Sequence, residues 1–344
     1  IIIYQNMKKK IAIVTGASGQ DGSYLCEFLL KKNYTVIAAD RRSARSNNWR
    51  HDFLQIGNKI IYEDFDLADF NSILRLIRNY KVDEFYNLAA QSFVGASFTV
   101  PIATCDVTGL SVLKILDVIK NHAPKVKFYQ ASSSEMFGKT STKKAQDENT
   151  NFYPRSPYGV AKVFGHHITR NYRESYKIYA CSGILFNHES PLRGEEFVTK
   201  KIINNLVKIK KNKLDYFELG NMYAKRDWGY AGDYVEAMWL MLQRKVPDDF
   251  VICTSKEYSI KEFVNKVTNK LKLKTKWSGK GLNEKLINKE NNRVIIKINK
   301  KFYRPSEVDF LKGSSHKARK ILKWKPKTSL DKLIDMMIEY EFNC

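Results

Sequence analysis

Short apolar runs rich in β-branched residues alternate with stretches whose apolar positions recur at helical spacing through the first half of the chain. The runs are Ile11–Thr15, Thr35–Ala39, Ile60–Tyr62, Glu84–Leu88, Lys127–Ala131 and Tyr179–Leu185, and Leu25, Phe28 and Leu29 mark the first helical stretch between them. Strands that alternate with helices predict a parallel sheet with helices on both faces, because each crossover must pass over one face. After Asn187 the rhythm changes. Helical stretches at Thr199–Lys208 and Ile260–Lys270, turns, and a return to the sheet within Glu218–Arg244 predict a smaller, discontinuous second domain. The expected fold class is α/β, a doubly wound parallel sheet over 7–188 plus 227–256, with a smaller α/β domain over 189–226 plus 257–344. Lys270–Lys301 reads as a loose polar stretch, and no segment repeats another.

The first strand carries a chemical signal at its end. Ile11–Gly22 reads IAIVTGASGQDG: a strand, a glycine turn, then the helix that holds Leu25. Gly16 permits the tight turn, Gly19 lets a pyrophosphate approach the backbone, and Gly22 lets helix and strand pack closely, with Gln20 and Asp21 at the helix N-terminus that faces the anion. The same glycines could serve only as a turn. With a strand before, a helix after and a second strand at the expected distance, they predict a dinucleotide site in a Rossmann domain. The second strand ends in Asp40, Arg41, Arg42 and Ser43. An acid there pairs with the ribose of NAD, whereas arginine accommodates the extra phosphate of NADP. The double arginine favours NADP; Asp40 keeps NAD open.

Two further stretches name a reaction type. Ser132–Gly138 reads SSSEMFG and Tyr153–Lys162 reads YPRSPYGVAK. Tyr158 and Lys162 stand four apart, one helical turn, on one face. A nearby ammonium favours the phenolate, so the pair can take a proton from a substrate hydroxyl near neutral pH, with Ser133 hydrogen-bonded to that hydroxyl. Tyr-x-x-x-Lys alone is weak, since a tyrosine on an amphipathic helix gives the same spacing. Glu135 supplies the second acid/base that an elimination requires, so the four residues point to a sugar dehydratase.

Composition changes this picture little. With 344 residues, 43% of them hydrophobic, the chain is long enough for one large or two modest domains. The five cysteines, Cys26, Cys105, Cys181, Cys253 and Cys344, have neither metal nor disulfide spacing and read as small buried hydrophobes in a reducing compartment. No metal site is expected. Ile1–Tyr4 is too short for a signal peptide, no apolar run approaches a membrane span, and Met7 before Lys8–Lys10 reads as the natural start, so a cytoplasmic protein is expected. The net charge of +23 raises nucleic acid as a partner. The lysines, however, are interspersed with Asn and Ile and form no arginine-rich stripe, which reads as compositional bias on solvated faces that would also attract an anionic nucleotide substrate.

The chain resembles the extended short-chain dehydrogenase/reductase superfamily and, within it, the GDP-mannose 4,6-dehydratases. The stretches that carry the resemblance are TGASGQDGSYL (Thr15–Leu25), Asp66-Leu67, YNLAAQSFVGASF (Tyr86–Phe98), SSSEMFG, FYPRSPYGVAK, NYRESY (Asn171–Tyr176), GILFNHESPLRGEEFVTKKI (Gly183–Ile202), LGN (Leu219–Asn221), RDWGYAGDYVEAMW (Arg226–Trp239) and YRPSEVDFLKG (Tyr303–Gly313). The resemblance implies that Asp66 and Leu67 flank the adenine, that Leu88, Ala89, Ala90 and Gln91 line the dinucleotide, and that His188 contacts the nicotinamide carboxamide. Tyr158 and Lys162 would then touch the cofactor as well as the substrate. For the GDP-sugar it implies Ser92, Asn187, Arg193, Val198, Lys201, Gly220, Arg226, Arg304 and Glu307. Arginines suit the diphosphate because a planar fork binds two oxygens; Arg226, beside Asp227, could instead form an ordinary ion pair. A homo-oligomer, dimer or tetramer, is implied too, but the loop Ala44–Asp52 (ARSNNWRHD) departs from the family's usual Ser/Asn/Thr-rich loop that reaches a neighbouring subunit. Ser133 stands where members commonly have threonine, which leaves a GDP-linked heptose open as substrate. A nucleotide-sugar epimerase would need no Glu135, and a non-enzymatic cofactor- or nucleic-acid-binding protein would need none of the four.

Overall fold

The computed structural model describes residues 9–44, 47–139, 144–303, 305–306, 308 and 310–343. Met7, Arg304, Glu307 and Cys344 lie outside the described residues. The chain divides into two compact units, Ile1–Ser133 with Pro157–Ile184 and Val235–Phe250, and Ser134–Ser156 with Leu185–Tyr234 and Val251–Cys344. Ser134–Ser156, expected in the first domain, therefore lies in the second, where the Phe137 ring sits 6.0 Å from that of Phe186 and the Val251 amide donates to Glu148 Oε1 at 2.8 Å. The return to the first unit begins at Val235 rather than residue 227, because the Asp227 carboxylate takes the Thr254 amide at 2.9 Å and hydroxyl at 2.6 Å within the second.

In the first unit, β1 (Ile11–Thr15), β2 (Thr35–Asp40), β3 (Ile61–Asp64), β4 (Glu84–Asn87), β5 (Lys127–Ser133) and β6 (Ala180–Leu185) join the strand Phe250–Ile252 in a seven-stranded sheet. From that last strand the order runs β6-β5-β4-β1-β2-β3, and β1 lies parallel to both β2 and β4. This is the doubly wound Rossmann arrangement, with the strand order reversing between β1 and β4. The strands are near-continuously apolar because helices cover both faces. Ile13, Ile37, Phe85 and Phe128 pack with Ile73 and Leu76 of the helix Phe70–Asn79 and with Ile115 and Ile119 of the helix Ser111–His122. Asp69 starts the first of these helices by accepting the amides of Asn71 and Ser72. Glu84, an acid inside β4, accepts from Lys10, Tyr34, Tyr86 and Gln243, the donors a buried carboxylate requires.

In the second unit, Lys270–Lys301 is ordered structure, which corrects the reading of a loose stretch. Thr275–Ser278, Lys285–Asn288 and Val294–Ile298 form consecutive antiparallel pairs, and Phe217–Leu219 adds a parallel fourth strand. Lys276, Lys285 and Lys297 are exposed while Leu286 and Ile296 are fully buried, so the lysines are the solvent-facing half of a period of two. The buried half packs on the helices Val198–Lys210, Ile260–Lys270 and Leu330–Asn343 through Ile203, Val267 and Ile334. Of the described cysteines, Cys26, Cys181 and Cys253 are buried as expected, but Cys105 is exposed at the end of the short helix Pro101–Cys105.

Candidate functional site

The loops leaving β1 and β4 meet at the switch point of the first unit. Thr15 Oγ1 donates to Asn87 Oδ1 at 2.8 Å and accepts the Leu88 and Ala89 amides at 3.2 Å each, which ties the exit of one strand to that of the other. Gly16 has φ of +67°, and a Cβ there would fall 2.9 Å from Ala89 Cα. A Cβ on Gly22, in helix α1 (Gln20–Lys31), would fall 2.2 Å from the Gly16 carbonyl oxygen. Only glycine allows this close approach. The result is a bare backbone cradle at a helix N-terminus, which fits the pyrophosphate of a dinucleotide. Gly19 follows in the loop, with Gln20 Nε2 donating to Asp21 Oδ1 at 2.9 Å. Gln91 is fixed by its amide on Thr108 Oγ1 at 3.1 Å, Ala90 lies between, and Ser92 is exposed just beyond. Asp66, whose Oδ1 accepts the Ala68 amide at 2.9 Å, and buried Leu67 follow β3; exposed Arg41 and Arg42 follow β2. Because the strands are parallel, these segments leave the same edge of the sheet.

Asp40 turns toward the glycine loop. Its Oδ2 accepts the Ser18 amide at 2.7 Å, and burial pushes the carboxyl up to about 6. Neighbouring His51, buried and neutral, was not read from the sequence; its Nε2–H donates to the Ala17 carbonyl at 2.8 Å while Nδ1 accepts from the Tyr62 hydroxyl at 3.1 Å.

The end of β5 is tied to the helix Pro157–Tyr176 at positions one turn apart. Buried Lys162 donates from Nζ to the Ala131 carbonyl at 2.7 Å, and its Nζ lies 5.6 Å from the centre of the Tyr158 ring. Burial pulls the ammonium down to about 8, against the opposing pull of Asp21. One turn on, His166 Nδ1 and Ser132 Oγ share a hydrogen bond at 3.2 Å, and burial pulls this imidazole down to about 4. Ser133 is the next residue of β5. The structure thus brings the Tyr158–Lys162 pair to the strand that ends in Ser133. His166 was missed; the spacing 158, 162, 166 is the signal that could have found it.

The second unit carries the rest. Glu135 is buried on the turn Ser134–Met136, two residues along the chain from Ser133. His188 Nδ1–H donates to the Phe186 carbonyl at 2.7 Å, which leaves Nε2 as the acceptor nitrogen, and the ring lies 4.7 Å from that of Tyr234. Asn187 Oδ1 is buried without a hydrogen-bond partner in the structure, as an oxygen that awaits a donor would be. Arg193 pairs with Glu189 at 3.1 Å and stacks 3.5 Å from the Phe197 ring centre. Val198 opens the helix Val198–Lys210, in which Lys201 Nζ lies 3.8 Å from the Phe302 ring centre, its charge disfavoured by burial. A Cβ on Gly220 would fall 2.5 Å from the Phe302 carbonyl oxygen, so Lys201 and Gly220 share one neighbour. Arg226 is buried and donates to the Lys225 carbonyl at 2.9 Å. Among the described residues no group of three or more His, Cys, Asp or Glu could hold a metal ion, and no helix is long and apolar enough to cross a membrane.

Residues 13–337 match the family model described as GDP-mannose 4,6 dehydratase. The chain is 46% identical over 339 residues to the GDP-mannose 4,6 dehydratase of Drosophila melanogaster, covering 96% of this chain and 86% of that protein. It is 47% identical over 341 residues to GDP-mannose 4,6 dehydratase 1 of Arabidopsis thaliana, covering 96% and 89%. Among solved structures, the UDP-glucose 4-epimerase of Thermus thermophilus in complex with NAD superposes with a TM-score of 0.80 at 20% identity over 97% of this chain and 99% of that one, a likeness of fold. With sequence similarity of this extent laid over the glycine cradle and the Tyr158–Lys162 pair, the chain belongs to the GDP-mannose 4,6-dehydratase family.

Proposed function

We propose that this chain converts GDP-mannose to GDP-4-keto-6-deoxymannose. The observation that carries the reading is the 46% identity, over 96% of the chain, to a protein of that name. The first unit holds the dinucleotide and the second the GDP-sugar. The glycine cradle, with Lys162 on the nicotinamide ribose, would hold NADP, which would supply the hydride acceptor for sugar carbon 4 and the hydride donor for carbon 6. Tyr158 takes the proton of the carbon 4 hydroxyl, which Ser133 orients. Lys162, anchored on the Ala131 carbonyl, favours the phenolate and holds the nicotinamide ribose. Once carbon 4 is a ketone the proton on carbon 5 is acidic; Glu135 removes it and protonates the departing carbon 6 hydroxyl, so one water leaves, and when hydride reaches carbon 6 a solvent-derived proton is taken up at carbon 5 while Tyr158 releases the proton it took. The elimination needs this second base, and an epimerase does not. His188 offers Nε2 to the carboxamide N–H. Asn187, Arg193, Val198, Lys201, Gly220 and Arg226 are proposed for the GDP moiety, together with Ser92, Arg304 and Glu307 from the resemblance alone.

The choice of NADP draws on exposed Arg41 and Arg42 at the end of β2. A homo-oligomer is supported by Ile102, Val160 and Phe164, large apolar side chains exposed on the helices Pro101–Cys105 and Pro157–Tyr176 of the first unit. A cytoplasmic location is supported by Cys26, Cys181 and Cys253 being free and buried. A second reading takes a GDP-linked heptose as substrate, since Ser133 lacks the methyl of threonine. Separate incubation with GDP-mannose and a GDP-heptose, followed by product masses, tests both: the proposal expects loss of one water from GDP-mannose, and loss only from the heptose would replace it with the second reading.

A further inference from the structure

Asp40 at the end of β2, with Asn47, Arg50 and His51, takes the Ser18 amide and hydroxyl and the carbonyls of Ala17 and Ser18. The Ser18 amide donates to Asp40 Oδ2 at 2.7 Å. The Ser18 hydroxyl in turn accepts from Asn47 Nδ2 at 3.3 Å. The Ser18 carbonyl accepts from Arg50 Nη1 at 3.0 Å, and the Ala17 carbonyl from His51 Nε2–H at 2.8 Å. His51 is fixed in that tautomer by the Tyr62 hydroxyl on its other nitrogen and is completely buried. These contacts are therefore anchored in the sheet on two sides, at Asp40 of β2 and at Tyr62 of β3.

An ionised carboxylate offers about four lone-pair positions. Oδ2 is directed into the loop and taken by the Ser18 amide of the protein itself, and the ribose hydroxyls of NAD would require the same carboxylate. Loop order is what a pyrophosphate site needs, because amides already aimed at the anion lose no freedom on binding. We propose that Asp40 is a positioning residue for the glycine loop, acting with His51, and is not a ribose ligand, so that it raises affinity for NAD and NADP alike while Arg41 and Arg42 choose between them. The inference rests on the dinucleotide reading above.

The test is titration of the purified full chain with NADP and with NAD, each followed by calorimetry, for the parent, Asp40→Asn, Asp40→Val, His51→Leu and Arg41→Ala, with a thermal melt of each. Asp40→Val and His51→Leu are expected to weaken both dinucleotides about tenfold, a factor worth one lost charge-assisted contact, and to leave the NADP to NAD ratio within about threefold of the parent. Asp40→Asn, which keeps one acceptor oxygen and the volume, is expected to fall between, and it stands as the test if Asp40→Val fails to fold. Arg41→Ala is expected to move the ratio instead. If the Asp40 variants lose NAD selectively and keep or improve NADP, Asp40 is a ribose ligand and the inference is overturned. Unchanged affinity for both in Asp40→Asn and His51→Leu overturns it too. If the parent binds neither dinucleotide, the cofactor reading itself fails, an outcome distinct from either.

Discussion

At the scale of single residues, the role proposed for Glu135 is the one that would separate a dehydratase from an epimerase on the same scaffold. Glu135→Gln cannot accept the carbon 5 proton, so turnover of GDP-mannose is expected to fall at least a hundredfold, in line with the loss of a general base, with dinucleotide affinity unchanged. Near-normal loss of water from the substrate would remove Glu135 from the mechanism. Tyr158→Phe is expected to stop the reaction earlier, with no reduced dinucleotide detectable by absorbance on mixing with substrate; its appearance would identify another base. His166 is legible in a different measurement. Its pKa is lowered from 6.5 to about 4 by burial, helped by His167, Arg173 and Arg170 and opposed by Asp249. A base whose folded pKa is depressed contributes stability in full above 6.5, and that contribution is lost as pH falls through about 4. The shift corresponds to roughly 3 kcal/mol. His166→Phe is therefore expected to flatten the fall in melting temperature between pH 6.5 and 4, and an unchanged acid limb would contradict the assignment.

At the scale of elements, the glycine cradle and the second sheet make opposite kinds of prediction. Gly22→Ala forces a methyl against the Gly16 carbonyl and is expected to cost about 1–3 kcal/mol of stability and to weaken dinucleotide binding, read by a melt and a titration; parent-like values in both would mean the loop is looser than its geometry. Leu286→Ala, deep in the second unit, is expected to cost about 2–5 kcal/mol in denaturant unfolding with no direct effect on the dinucleotide, whereas Lys276→Ala nearby should change little. How far each element was legible follows from its local physics. The start of the helix Ile260–Lys270 was readable because Ser259 and Glu262 form a capping box, a signal written in sequence. β3 begins at Ile61 and runs to Asp64, past the expected Tyr62, because edge pairing with β2 rather than apolarity carries Glu63 and Asp64 into the strand. Lys270–Lys301 was misread because lysines dominate its composition while Leu286 and Ile296 do the packing. In the site, Tyr158 and Lys162 were legible from spacing. The direction in which Asp40 turns was not, since a strand pattern places an acid at a strand end without saying which donors its oxygens meet.

At the scale of the whole molecule, fold alone does not choose the reaction: a UDP-glucose 4-epimerase has the same architecture at 20% identity. The net charge of +23 does not choose it either, but it makes a prediction. A positive field raises the local concentration of a diphosphate substrate and is screened by salt, so KM for GDP-mannose is expected to rise with ionic strength while kcat holds. A salt-independent KM would mean that the lysines lie too far from the substrate path to matter. The central claim is that one hydride leaves carbon 4 and returns to carbon 6 of the same sugar while Glu135 exchanges the carbon 5 proton. Turnover of GDP-mannose deuterated at carbon 4, in ordinary water, with the product read by NMR and mass spectrometry, tests it most directly. The account predicts a product lighter by one water that keeps the deuterium, now on the carbon 6 methyl, with a solvent-derived proton on carbon 5; deuterium returned to carbon 4 of an unshortened sugar, or lost to solvent, would contradict it.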